Sequence, residues 1–162
     1  MWIFFILTGI VLVGLGQPAA SQEWTIFVEP TMGTSLELPS GVFTIHEGIS
    51  SRGVGTQYKT SDGRAVLQVY SQKNSQRNTP TNYLRQNYRV PSEVIDYRRV
   101  TRSFFAVSAV NEGMIFYSRC NFSRTAGGAI HCFDLKYPER EKRAWDDIVT
   151  RISRSLRPLE RG

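Results

Sequence analysis

Short runs of alternating apolar and polar residues, separated by turn-forming residues, predict that most of this chain folds as β-sheet. The clearest run is Ala65–Tyr70, in which Leu67 and Val69 face one side and Val66 and Gln68 the other. It follows Asp62-Gly63, a pair that readily forms a tight hairpin turn. Three more runs predict successive antiparallel strands: Glu93–Val100, Arg102–Val110 and Met114–Phe122, with Asn111–Gly113 as the turn between the last two.

Less regular runs predict the remaining strands. Trp24–Glu29 is a candidate first strand, and Gly41–Ile45 and Thr56–Tyr58 are short ones. Ala129–Tyr137 is a longer strand, joined to Met114–Phe122 through a turn-like segment rich in glycine and serine. Between the early and late strands, Ser71–Asn78 is polar and is expected to be a flexible connection.

Two segments predict helices. Thr79 followed by Pro80 is a typical helix start, and the helix is expected to run from Pro80 to about Tyr88 because Pro91 ends it. Pro138 is expected to open a long terminal helix. Its apolar side chains recur at helical spacing, namely Trp145, Ile148, Val149, Ile152 and Leu156. The predicted fold class is therefore α+β, a mostly antiparallel sheet with two main helices packed on it.

The first 21 residues predict a secretory signal peptide. Trp2–Leu15 is almost continuously apolar, Gln17-Pro18 interrupts it, and the small residues Ala19–Ser21 follow as a cleavage site. No lysine or arginine precedes Arg52, so an uncleaved membrane anchor is the alternative. The predicted organisation is a signal peptide over 1–21, an extended leading segment over 22–40, one α+β domain over 41–157 and a tail over 158–162. The expected location is periplasmic or secreted.

Cys120 and Cys132 are the two cysteines of the chain. If the hairpin between their strands centres near residue 126, the two side chains lie directly opposite and share a face, close enough to bridge. An exported chain meets an oxidising environment, which favours a disulfide over the alternative of two free buried thiols. A metal site with His131 is disfavoured because neighbours on one strand point to opposite faces.

The net charge of +6 comes mainly from arginine, with sixteen arginines against four lysines. Acidic residues are interleaved with the basic ones, which is typical of a solvated surface rather than of a nucleic-acid interface, so no nucleic-acid partner is expected. Two interpretations stay open: weak attraction to anionic lipid or polymer, and an arginine-rich base composition without a functional meaning.

Aromatic side chains are concentrated on the central strands, and they suggest either a core covered on both faces or a binding groove on one face. The groove hypothesis places an apolar or peptide ligand on the aromatic face with arginines at its rim. Its candidate residues are Arg98, Arg102, Arg119, Phe104 and Phe116.

The sequence contains no recognisable catalytic, cofactor or metal motif. His46 and Glu47 are adjacent, but side chains of neighbouring strand residues point apart, and His131 is expected to be a hydrogen-bonded residue of the sheet. Neither a nucleophile elbow nor a dinucleotide fingerprint occurs. We therefore expect a protein that is not an enzyme and that uses no cofactor, with a hydrolase built on His46 or His131 as the weakest alternative.

The order of these elements resembles the PsbP/DcrB-like group of small α/β/α sandwich domains, which includes small exported bacterial proteins. The resemblance spans roughly Leu38 to Arg157. It rests on apolar spacings: Phe43–Ile45, the Asp62-Gly63 hairpin before Ala65–Val69, Thr79–Leu84 at a helix start, three antiparallel strands, and a last helix ending in Ile152–Leu156. It implies the sandwich fold and a non-enzymatic role beside partner assemblies, and it assigns no site residue.

These observations favour an exported interaction or accessory module of the cell envelope, which contacts an unidentified partner through its sheet edge or aromatic face. The membrane is expected to be contacted only transiently, through the signal peptide. The alternative is a carrier of a small apolar ligand or lipid, with a pocket between the sheet and a helix.

Overall fold

The fold is known from a computed structural model that describes residues 23–124 and 128–159. The strands of the main sheet are β3 (Ile45–Ile49), β4 (Val54–Lys59), β5 (Val66–Lys73), β6 (Ile95–Val100), β7 (Phe104–Asn111), β8 (Met114–Phe122) and β9 (Ala129–Pro138). They are antiparallel throughout and lie in the spatial order β3-β4-β5-β9-β8-β7-β6. This sheet is the middle layer of the molecule.

One face of the sheet is covered by helix α2 (Lys142–Ser155) and by a small second sheet. The small sheet contains β1 (Thr25–Glu29), β2 (Thr34–Leu38) and the short β10 (Arg157–Pro158), with β2 in the centre. The apolar stripe of α2 packs against alternate residues of the main sheet, such as Phe133 and Leu135. We call this side of the sheet the α2 face.

The opposite side, the α1 face, carries helix α1 (Pro80–Asn87). Tyr83 and Leu84 of this helix are buried against Tyr70, Phe105 and the two cysteines. Successive residues of β9 alternate between the two faces, as the two-residue period of a strand requires. The result is a three-layer α/β/α arrangement with a hydrophobic core on each side of the sheet.

Most of the predicted elements are confirmed. The α+β fold class is correct, and Met114–Phe122 is a strand with the predicted bounds. Helix α1 begins at Pro80, where the Thr79 hydroxyl accepts a hydrogen bond from the Asn82 amide at 3.2 Å. The turn at Glu112-Gly113 has positive φ at both residues, as a tight hairpin turn requires.

Three local predictions are wrong. Gly41–Ile45 is not a strand: the Val42 and Phe43 amides donate to the Pro39 carbonyl in a turn that buries Phe43. The segment expected to be flexible after Tyr70 begins with three residues of β5. Pro138 does not open the terminal helix, because it ends β9, and a 3₁₀ turn over Glu139–Glu141 precedes α2.

The segment 22–40, predicted to be extended, contains the β1–β2 hairpin, and its Leu36 and Leu38 belong to the core. Residues 1–21, the predicted signal peptide, lie outside the described residues, as do 125–127 of the cysteine hairpin and the end of the predicted tail. Neither α1 nor α2 has the length and apolarity needed to cross a membrane, and the described ranges contain no other α-helix.

Candidate binding site

Helix α1 has only eight residues and covers only part of its sheet face. It lies over the row formed by Tyr70, Cys132, Cys120 and Phe105, which are consecutive cross-strand partners. The next two rows lie beyond the helix. They are Gln68, Asp134, Ser118 and Val107, and then Val66, Lys136, Phe116 and Ala109. These two rows form the floor of a cavity of about 560 Å³, which we call the trough.

The trough is mostly apolar. Val66, Val107 and Ala109 form part of its floor, and Pro91 and Val94 of the segment after α1 stand at one side. Phe116 lies on the floor with 40% of its surface exposed. A concave apolar surface next to a few fixed polar groups is the usual form of a small-molecule site.

A group of polar side chains lies at the end of the trough that adjoins α1, whereas Lys136 lies in the outer row. The Tyr88 hydroxyl donates to Asp134 Oδ1 at 3.2 Å, and Arg52 Nε lies 3.3 Å from Asp134 Oδ2. The hydroxyl groups of Tyr70 and Tyr88 are 2.7 Å apart, and the Arg52 guanidinium lies 4.7 Å from the centre of the Tyr88 ring. We call Arg52, Tyr70, Tyr88 and Asp134 the polar cluster.

Burial controls the ionisation of this cluster. It raises the pKa of the Asp134 carboxyl group above its usual value, while the positive charge of Arg52 opposes the rise. Burial and the nearby Asp134 carboxylate also raise the pKa of Tyr70 and of Tyr88, so both phenols remain protonated hydrogen-bond donors at physiological pH. The contact between Arg52 and Asp134 is therefore surrounded by neutral hydroxyl groups.

The predicted disulfide is confirmed and lies in the row of sheet residues that α1 covers. Cys120 and Cys132 are register partners of β8 and β9, with 2.03 Å between the sulfurs and 4.1 Å between the Cα atoms. Both are fully buried, and the Tyr88 hydroxyl lies 3.7 Å from Cys120 Sγ. The crosslink thus joins β8 and β9, which carry Asp134 of the polar cluster and half of the residues of the trough floor.

The five residues predicted for a binding groove do not line one groove. Phe116 lies in the trough, and Arg98 lies on the same face in a neighbouring depression beside Leu84. Arg102 lies in the β6–β7 turn near the start of α1, whereas Phe104 and Arg119 lie on the α2 face. Their roles in binding stay predictions, now divided between the two faces of the sheet.

The histidines are hydrogen-bonded sheet residues. His131 is buried on the α2 face, where its Nδ1 lies 2.7 Å from Thr34 Oγ1, as the sequence predicts for a structural histidine. His46 Nε2 lies 2.5 Å from Thr56 Oγ1, and the neighbouring Glu47 instead contacts Gln57 and Lys59. The described residues include no group of three or more potential metal ligands.

Sequence reasoning missed the polar cluster, whose members come from distant parts of the chain. Arg52 lies in the β3–β4 loop, Tyr88 follows α1, and Asp134 lies in the middle of β9. One signal was present: Asp134 follows the apolar residues Ile130 and Cys132 on the same face of β9, and a carboxylate at such a position needs a partner. The partners could not be identified from the sequence.

Comparisons with known proteins show a similarity of fold. No family model matches this sequence, and no curated protein matches it. Among solved structures, the chain is similar to cyanobacterial PsbP (CyanoP) from Synechocystis sp. PCC 6803, with a TM-score of 0.63 and 12% sequence identity. The likeness covers 91% of this chain and 99% of that one. The fold is therefore PsbP-like, as the order of predicted elements had indicated.

Proposed function

We propose that this protein is an exported, non-enzymatic binding module of the cell envelope, and that it holds a small apolar ligand in the trough. The trough itself is the observation that carries the proposal. It offers a partly apolar floor that α1 leaves uncovered, with a hydrogen-bonded polar cluster at one end. Of the two functions that the sequence suggested, this geometry favours the ligand carrier.

The polar cluster is suited to positioning a ligand. Asp134 is held by Arg52 and Tyr88, and the hydroxyl group of Tyr88 is held by Tyr70. Groups that satisfy one another in this way keep a fixed geometry and present dipoles to a bound molecule, which supports a binding role over proton transfer.

A pair of alanines on β7 allows a matched test. Ala109 lies on the floor of the trough, and Ala106 lies on the α2 face of the same strand. A phenylalanine at position 109 would fill the trough. We expect the uncharged fluorescent probe N-phenyl-1-naphthylamine to bind the native chain and Ala106→Phe, and to bind Ala109→Phe at least about tenfold more weakly.

Native mass spectrometry of the purified chain would complement this test, because a carrier is expected to retain some ligand from its host. Equal probe binding by native chain and Ala109→Phe, together with a mass that shows no bound molecule, would contradict the proposal. Near-ultraviolet circular dichroism of both variants would show whether the aromatic packing of the two cores is intact.

A second candidate function, docking on a protein of the envelope, is favoured by the outer strand β3. It has one strand partner, β4, and exposes 42% of Ile45 and 86% of Ile49. An extended segment of a partner could pair with its free backbone groups. We expect Ile49→Lys to reduce recovery of a specific partner from envelope extracts more than Ile26→Lys on β1, and equal recovery would contradict this candidate.

A further inference from the structure

We propose that the α2 face carries a separate binding site for a phosphate group, in a cleft lined by three arginines that form no ion pair among the described residues. The cleft has a volume of about 500 Å³ and lies between α2 and the strands β6 and β7. Its lining includes Arg99, Arg119, Arg154 and Phe104, and we call it the basic cleft. It lies on the other side of the sheet from the trough, so the two proposals are independent.

Arg119 is the central residue of the basic cleft. Its side chain is half-buried and lies over the Phe104 ring, with 4.3 Å from the guanidinium carbon to the ring centre. Its Nε donates to Asn121 Oδ1 and its Nη1 to Ser153 Oγ, both at 3.0 Å. Both acceptors are neutral, and a guanidinium group has five N–H donors, so most of its donors remain for another acceptor.

The other two arginines add positive charge at the same place. Arg99 approaches the Phe104 ring, with 5.6 Å from its guanidinium carbon to the ring centre, and Arg154 extends from the last turn of α2. In the part of the chain that the structure describes, none of the three arginines forms an ion pair, whereas Arg52, Arg64, Arg140 and Arg151 each pair with a carboxylate. Burial and the charge of Arg99 lower the pKa of Arg119, and the neighbouring Tyr117 and Tyr97 oppose this shift only in part.

Neighbouring negative groups are too few to balance this charge. The C-terminal end of α2 supplies roughly half an elementary negative charge. Asp96 and Asp146 line the cleft, and Asp146 is already bound by Lys142 at 2.8 Å. The three guanidinium groups carry three positive charges. Opposite them are roughly half a negative charge from the helix dipole and the carboxylate of Asp96, which forms no ion pair among the described residues.

The shape of the cleft admits a ligand. The β7 residues on its floor, Ala106 and Ser108, have small side chains, so space remains between the strand and α2. Arginine binds phosphate through paired N–H donors, and a doubly charged oxyanion matches several guanidinium groups better than a single carboxylate does. The same chemistry would suit a soluble phosphate ester or a phospholipid headgroup.

An NMR titration of the purified chain with inorganic phosphate, at constant ionic strength, tests the site. We expect saturable shifts of the backbone amides of Ala106, Arg119 and Ser153, and binding of acetate at least about tenfold weaker than that of phosphate. Shifts that do not saturate, or acetate binding equal to phosphate binding, would overturn the proposal.

Variants separate the site from a general effect of positive charge. Arg99→Gln changes an exposed side chain of the basic cleft, and Arg98→Gln changes its neighbour on the opposite face. We expect phosphate affinity to fall at least about tenfold in Arg99→Gln and to stay unchanged in Arg98→Gln. Equal weakening in both variants would overturn the proposal.

Vesicles of phosphatidylglycerol then distinguish the two sources of phosphate. Co-sedimentation that Arg99→Gln abolishes and Arg98→Gln preserves would assign the site to a lipid headgroup. Saturable binding of inorganic phosphate without co-sedimentation would assign it to a soluble phosphate ester.

Discussion

Tyr88 connects the apolar and polar parts of the trough through a single hydroxyl group. That group donates to Asp134 and lies within hydrogen-bond distance of Tyr70. Tyr88→Phe would leave the buried Tyr70 hydroxyl without this partner and Asp134 with one donor fewer. Because an unsatisfied buried polar group costs about 1–3 kcal/mol, we expect the free energy of unfolding to fall by that amount in urea denaturation.

Tyr83 provides the control for this prediction. It packs in the same cluster as Tyr88, with 6.4 Å between the ring centres, and no hydrogen bond of its hydroxyl occurs among the described residues. Tyr83→Phe is therefore expected to change the free energy of unfolding by less than about 0.5 kcal/mol. Equal losses in the two variants would show that ring packing, rather than the polar cluster, is what Tyr88 contributes.

His131 makes the stability of the protein depend on pH. Its burial lowers the pKa of the imidazole below the ordinary value of 6.5, an effect that the charge of Glu29 partly opposes. The unfolded chain therefore binds a proton at a higher pH than the folded chain does. The stability that this group contributes is complete above 6.5 and is lost as pH falls from there through the folded-state pKa.

We expect chemical denaturation at about pH 7.5 and about pH 5.5 to show this loss in the native chain and in His46→Gln, and to show a smaller loss in His131→Asn. His46 is exposed and on an outer strand, which makes it the matched histidine. An identical pH dependence in His131→Asn and the native chain would contradict the assignment.

Strand parity explains why the predicted groove residues separate. Phe116 and Arg119 are three positions apart on β8, and an odd separation places two strand residues on opposite faces. In the register of β7 and β8, Phe104 and Phe116 also lie on opposite faces of the sheet. The separation of the groove residues between the two faces could have been predicted from the sequence. The polar cluster could not, because it depends on the tertiary positions of the β3–β4 loop and of the residues after α1.

At the scale of elements, the disulfide acts on the central pair of strands. It closes a short loop, since the cysteines are 12 positions apart, and a loop of this size is expected to contribute roughly 2–3 kcal/mol by restricting the unfolded chain. We expect guanidinium denaturation of the reduced chain, and of the double variant Cys120→Ala/Cys132→Ala, to show that loss. An unchanged free energy of unfolding in both would contradict this prediction.

Trp145 is the largest of the buried side chains that helix α2 packs against the sheet. Its ring is 6% exposed, stacks on Tyr137 with 5.2 Å between ring centres, and lies 5.8 Å from Phe43. Trp145→Ala should lower the free energy of unfolding by about 3–5 kcal/mol, because it removes a large buried ring and leaves a cavity. Trp24→Ala, at a partly buried tryptophan, is the control, and an equal loss there would contradict the special role of Trp145.

Elements with a strong local signal could be predicted, and elements defined by long-range packing could not. The alternation of Met114–Phe122 and the Thr79-Pro80 cap act within a few residues. The apolar segment around Phe43 instead forms a turn, and the Phe43 side chain fills the core beside Trp145. A short apolar run is compatible with either outcome, and only the surrounding elements decide between them.

At the scale of the whole molecule, the sheet has two unlike faces, and each offers a cavity for a different reason. On the α1 face the helix is too short to cover the sheet, and on the α2 face small side chains on β7 leave space beneath α2. The disulfide joins β8 and β9, and both strands contribute residues to the lining of each cavity. An oxidising location would favour this crosslink.

The sequence of residues 1–21 makes this location testable. We expect the protein recovered from a fractionated cell to begin at Gln22, after cleavage behind Ser21, and to carry the Cys120–Cys132 bond. Ala19 would then occupy the small-residue position three before the cut, so Ala19→Arg should retain the N-terminal segment and accumulate with the membrane fraction. Mass spectrometry of the intact protein measures cleavage and oxidation together. A native chain that keeps Met1 in the membrane would instead be anchored, and a cleaved chain with two free thiols would break the link between export and the crosslink.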